Sequence, residues 1–129
     1  MEIYNNILIE IDIPVQYNSK MLVDTRLRIG KEKYFMGKGV REILDAIDEY
    51  KSIKKACEVT GISYPKVMRM LKNFKGELGF DAVASEKGGR DHGGTQLTEQ
   101  GRAVLESFRE IENEIAILAQ KLAQEKFPL

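Results

Sequence analysis

Near its start the chain alternates with a period of two. In "NILIEIDI", Ile7, Ile9, Ile11 and Ile13 fall on one side, which is the pattern of a strand. Pro14 ends it, and "QYNSK" carries turn residues. "MLVDTRLRIGKEKYFMG" then reads as a hairpin. Leu27 and Ile29 alternate with Arg26 and Arg28, "GKEK" turns, and Tyr34 and Phe35 return.

The period changes after Gly37 and Gly39. Val40, Ile43, Leu44 and Ile47 recur at the three- and four-residue spacing of a buried helical stripe. "SIKKACEVTG" is a second, short helix between an N-cap, Ser52, and a closing glycine, Gly61. A third helix begins at the cap Ser63, with Pro65 in its first turn, where the missing N–H does no harm. Val67, Leu71, Phe74 and Leu78 form its apolar row, and Gly79 closes it. Gly76 weakens it slightly, and Met68 and Met70 beside the row are expected to fill the core. "FDAVAS" and "TQL" are short strands on either side of a glycine-rich loop. Thr98 caps a last helix.

That last helix carries Leu97, Gly101, Val104, Phe108, Ile111, Ile115, Leu118 and Leu122 at alternating steps of four and three, a heptad seam. A helix of this length would run about 43 Å, longer than so small a body can cover. Packing on a twin in a symmetric homodimer is expected, with Val104, Phe108, Ile111, Ile115, Leu118 and Leu122 at the interface. The fold class is therefore mainly α with small β-hairpins, an α+β arrangement. Three segments follow: a β extension over 1–25, a winged helix–turn–helix over 26–97 and a dimerisation helix over 98–129.

The second and third helices, joined by "TGIS", have the proportions of a helix–turn–helix. Cys57 is small enough to let the two helices approach, and packing suits it better than redox chemistry. A hairpin with a glycine-rich, basic tip after the third helix completes the order of a winged helix–turn–helix.

Charge changes the picture next. The chain of 129 residues is formally neutral. Yet residues 51–75 hold Lys51, Lys54, Lys55, Lys66, Arg69, Lys72 and Lys75 against Glu58 alone. A basic block in a neutral chain suggests a local anionic partner. The outward side of the third helix would offer Ser63, Tyr64, Lys66, Arg69 and Asn73. Arginine forks onto guanine, asparagine pairs with adenine, and Ser and Lys reach phosphates. Lys54 and Lys55 would add phosphate contacts.

Other chemistry finds little support. The single cysteine excludes an internal disulfide and multi-cysteine zinc patterns. His92 is the lone histidine, on an expected loop beside Asp91, which cannot share a face with it as a metal pair would. No catalytic residue, metal or cofactor is expected, so the chain is not read as an enzyme. The loop "EKGGRDHGGTQLT" is not a nucleotide-phosphate loop, because those run from a strand directly into a helix. Its glycines suit a tight hairpin tip, and Lys87 and Arg90 would touch the DNA backbone or minor groove. No apolar run approaches the roughly 18 residues of a membrane helix, and no signal-peptide order is present, so a cytoplasmic location is expected.

Two stretches also resemble a known family. "GVREILDAIDEYKSIKKACEVTGISYPKVMRMLKNFKGELGF" and "VASEKGGRDHGGTQLTEQGRAVLESFREIENEI" are similar to the N-terminal DNA-binding domain of the molybdate-responsive ModE regulators, and more distantly to LysR-type regulators. The likeness covers roughly residues 26–115. Its most specific parts are "GISY" and "KGG…GG…LT". It implies a winged-helix dimer on a palindromic operator, with double-stranded DNA as partner. Arg90, Asp91 and His92 interrupt a wing that in the family is nearly all glycine and lysine, and Asp91 should repel phosphate. The chain ends soon after the long helix, so no molybdate site is expected. The alternative is a winged helix that serves protein assembly without specific DNA binding.

Overall fold

The computed structural model describes residues 21–85 and 94–127. Its elements are β1 (Ile29–Gly30), β2 (Tyr34–Met36), α1 (Lys38–Tyr50), α2 (Ile53–Thr60), α3 (Tyr64–Leu78), β3 (Val83–Ser85), β4 (Thr95–Leu97) and α4 (Glu99–Lys126). They form an α+β, winged-helix-like fold in which β1 pairs with β2 and β3 with β4, both antiparallel. The alternating "NILIEIDI" segment and the glycine-loop residues 86–93 lie outside the described residues.

Three of the four helices begin where a hydroxyl stands ready. The Lys55 N–H donates to Ser52 Oγ at 3.0 Å, and the Lys66 N–H donates to Ser63 Oγ at 3.3 Å. The Gly101 N–H donates to Thr98 Oγ1 at 2.8 Å. Each bond satisfies a backbone donor that has no partner inside the helix. Gly61 and Gly79 close α2 and α3 in the left-handed region, with φ of 75° and 84°. Lys51 does the same for α1, with φ of 56°, although it is not glycine.

The chain divides into two units, Arg26–Arg109 and Met1–Thr25 with Glu110–Leu129. The first contains the core: Met36 from β2, Ile43, Leu44 and Ile47 from α1, Val67 and Phe74 from α3, and Leu105 and Phe108 from α4. Phe74 is fully buried and meets Phe35 and Phe80 edge-to-face, with ring centroids 6.2 and 5.9 Å apart. Burying a side chain of this size stabilises the fold by about 1.5–3 kcal/mol, and edge-to-face pairs add to that. Cys57 packs against the same core. In the second unit, residues 110–126 are helical, and Lys121 and Glu125 lie one turn apart at 3.9 Å.

Gly101 and Gly94 are among the glycines required by close approach. A Cβ at Gly101 would strike the Ala82 carbonyl, and a Cβ at Gly94 would strike the Lys51 carbonyl. The first lets α4 sit against the start of the β3–β4 hairpin. The second lets that hairpin lie on the α1–α2 corner, where the Thr95 N–H donates to the Lys51 carbonyl at 3.0 Å.

The structure corrects three local expectations. Of "FDAVAS", only Val83–Ser85 pairs as a strand. The carbonyls of Asp81 and Ala82 instead bind Thr98, through its hydroxyl and its N–H, so this backbone anchors the start of α4. Leu97 belongs to β4 and is buried there, so it does not begin a helical seam. Met68 is 40% exposed and lies off the core, whereas Met70 packs against it. At 100° per residue, Met68 is turned away from the Val67–Phe74 side by a further step.

Candidate nucleic-acid interface

The α2–turn–α3 unit presents one side of α3 outward. Val67 and Phe74 are buried, and Leu71 and Leu78 pack against them. Opposite them, at the same spacings of four, three and four, stand Pro65, Arg69, Lys72 and Gly76, all exposed. Lys66 flanks this row and is exposed, as are Ser63 and Tyr64 at the helix start. The expected residues Ser63, Tyr64, Lys66 and Arg69 are thus brought to the exposed start and outer side of one helix. Lys72, named in the sequence only as part of the basic block, stands on the same outer side. Its signal was present in the sequence, since it sits three residues beyond Arg69 on the side away from the apolar row.

Asn73 stands apart. It is half-buried, and its Nδ2 donates to the Tyr34 carbonyl at 2.6 Å. Ser63 also has a local duty, as the hydroxyl that caps α3.

The electrostatics separate these cations into two groups. Lys51 lies 3.5 Å from Asp48, Lys55 lies 3.9 Å from Glu58, and Lys75 lies 3.3 Å from Asp81. Among the described residues Lys54, Lys66, Arg69 and Lys72 form no ion pair. Within the 51–75 block the uncompensated cations are therefore mostly on the outer side of α3. Lys87 and Arg90 fall in the segment outside the described residues, as do Asp91 and His92.

On α3, Glu77 accepts from the N–H groups of Lys33 and Glu32 through Oε1, at 3.0 and 2.9 Å. These bonds, that from Lys33 first, hold its carboxyl below the usual carboxylate range. Between α4 and α1, Arg102 grips Asp48 with both terminal nitrogens, at 2.6 and 3.1 Å. That grip holds the Asp48 carboxyl below its ordinary value, although burial opposes it.

The seam of α4 is divided by the structure. Phe108 is buried in the chain's own core, and Val104 packs against that core. Farther along, Ile111, Leu118 and Leu122 are 39%, 53% and 40% exposed, with Ile115 half-buried between them. No group of three His, Cys, Asp or Glu among the described residues could hold a metal ion. None of their helices is long and apolar enough to cross a membrane.

A capped recognition-type helix with an uncompensated basic row, followed by a β-hairpin, can be set beside known proteins. The chain is similar to the molybdenum transport protein ModE of Azotobacter vinelandii. The two are 29% identical over 103 residues, which cover 80% of this chain and 33% of ModE. The chain thus spans about a third of the length of that relative. The motifs quoted above and this comparison point to the same protein. No protein-family model matches the chain.

Proposed function

We propose that the chain is a sequence-specific DNA-binding regulator that acts in the cytoplasm as a homodimer on a two-fold symmetric site. The observation that carries this is the row on α3, where Lys66, Arg69 and Lys72 are exposed and without ion pairs among the described residues. Such a row matches the charge of a duplex and the width of its major groove. Arg69 reads a base edge there. Lys66 and Lys72 hold phosphates, while Ser63 and Tyr64 contact the duplex at the helix start. Gly76 extends the row and leaves open space where a side chain would stand. Lys54 adds a backbone contact from α2, and the wing residues Lys87 and Arg90 reach the backbone or minor groove.

Dimerisation rests on exposed and half-buried apolar residues of α4. Ile111, Ile115, Leu118 and Leu122 keep the heptad spacing beyond the part of the helix that packs in the core. Two copies paired there present two recognition helices to one duplex. No molybdenum chemistry is proposed for this chain.

Selection of bound sequences from a random duplex pool tests the proposal. Enrichment of an inverted repeat is expected, with half-sites about one helical turn, or 34–36 Å, apart. A pool that stays unenriched over successive rounds would refute it.

A further inference from the structure

The β1–β2 hairpin has no role in the function proposed so far, yet it is the element fastened most closely to α3 by side chains. Its turn is tight, because a Cβ at Gly30 would overlap the Lys33 carbonyl. Two α3 residues one helical turn apart hold it. Glu77 takes the N–H groups of Glu32 and Lys33, and Asn73 takes the Tyr34 carbonyl. Phe35 anchors the returning strand against Phe74, edge-to-face at 6.2 Å.

Asn73 and Glu77 lie on the edge of α3 that begins with Lys66, seven residues before Asn73. Lys66 and Arg69 occupy its N-terminal half, and the hairpin is seated along its C-terminal half. What the hairpin exposes is basic and aromatic: Arg28, Lys31, Lys33 and Tyr34. The Arg28 guanidinium lies over the Tyr34 ring, 4.2 Å from its centre. Glu32 opposes these cations at the turn, and the Glu77 carboxylate, held by backbone N–H groups, also faces Lys31 and Lys33.

We propose that the β1–β2 hairpin is a second DNA-backbone arm, clasped to the recognition helix by Glu77 and Asn73 so that Lys31 and Lys33 meet phosphates beside the groove α3 enters. This rests on the DNA-binding function proposed above. Asn73 and Glu77 are then positioning residues, acting through the hairpin and not through a base. The clasp fixes the arm before DNA arrives, so binding does not have to order it.

The test uses the full chain, a random duplex and the selected duplex. For Lys31→Ala/Lys33→Ala, the slope of log affinity against log salt should become shallower by about 1.8, or 0.9 per phosphate lost. Its preference for the selected duplex should stay unchanged. Glu77→Ala gives a test of sign. Removing an acid beside DNA should tighten binding if only its charge matters. Loss of the clasp should instead weaken binding several-fold, and Glu77→Gln, which keeps an acceptor oxygen, should restore it. An unchanged slope in the lysine variant, or tighter binding by Glu77→Ala, overturns the arm. Wild type and Arg69→Ala are the controls. If wild type binds and Arg69→Ala loses the selected site while the lysine variant behaves as wild type, only the arm fails. If wild type binds no duplex, both proposals fail.

Discussion

Helices α1 and α3 share one core and treat their outer charges in opposite ways. Both bury an apolar stripe, Ile43, Leu44 and Ile47 on α1 and Val67 and Phe74 on α3. On α1 two of the four acids, Asp45 and Asp48, are engaged within the fold. Asp45 pairs with Arg109 and Arg41, and Asp48 with Arg102 and Lys51. On α3 the cations of the outer row have no ion pair among the described residues. Charges that hold helices together and charges left for a partner are thus told apart by whom they face. Count and helical spacing do not separate them.

The largest effect should come from the face the two helices share. Phe74→Ala should cost about 3–5 kcal/mol and lower the melting temperature sharply, because the cavity would open among Phe35, Phe80 and the α1 stripe. Calorimetry or thermal circular dichroism reads this, and a loss under about 1 kcal/mol would show that the core does not depend on α3 as described.

Lys72→Ala should leave the melting temperature within about 2 °C of wild type, since Lys72 is exposed and unpaired among the described residues. Binding to selected and random duplex should weaken alike, with the salt slope shallower by about 0.9. A change in stability without a change in slope would move Lys72 into the structural class of α1.

A modest effect on stability, and none on binding, belongs to the α1 pairs. Asp48 has its carboxyl held below the ordinary value, so the Asp48–Arg102 pair adds stability at neutral pH. That contribution is complete above the unfolded carboxylate range and is lost as pH falls through the depressed folded value. Asp48→Asn should therefore reduce the melting temperature by no more than about 5 °C at neutral pH, with the difference shrinking in acid. DNA affinity should not change. A difference that grows on acidification would contradict this assignment.

Much of this contrast was legible in the sequence. The spacing of Val67, Leu71, Phe74 and Leu78 marked the inner side of α3, and Ser52, Ser63 and Thr98 marked three helix starts, because caps and periodicity are local. Tertiary partners were not legible. Nothing near Asn73 announces that its amide meets the Tyr34 carbonyl, and nothing near Glu77 announces the turn it clasps. The seam of α4 reads as uniform, yet Phe108 goes to the core while Leu118 is exposed, since heptad spacing does not name the partner. Lys72 could have been placed by the same periodicity that placed Arg69.

Whether the outer row of α3 reads sequence decides the proposed function. The direct measurement is the affinity of wild type and Arg69→Ala for the selected duplex and for random duplex, at one fixed salt concentration. Arg69→Ala should lose roughly ten- to a hundredfold on the selected duplex, the worth of one good base contact. On random duplex it should lose less than about threefold, since one of several backbone charges is gone. Equal losses on both duplexes, or none on either, would contradict the assignment.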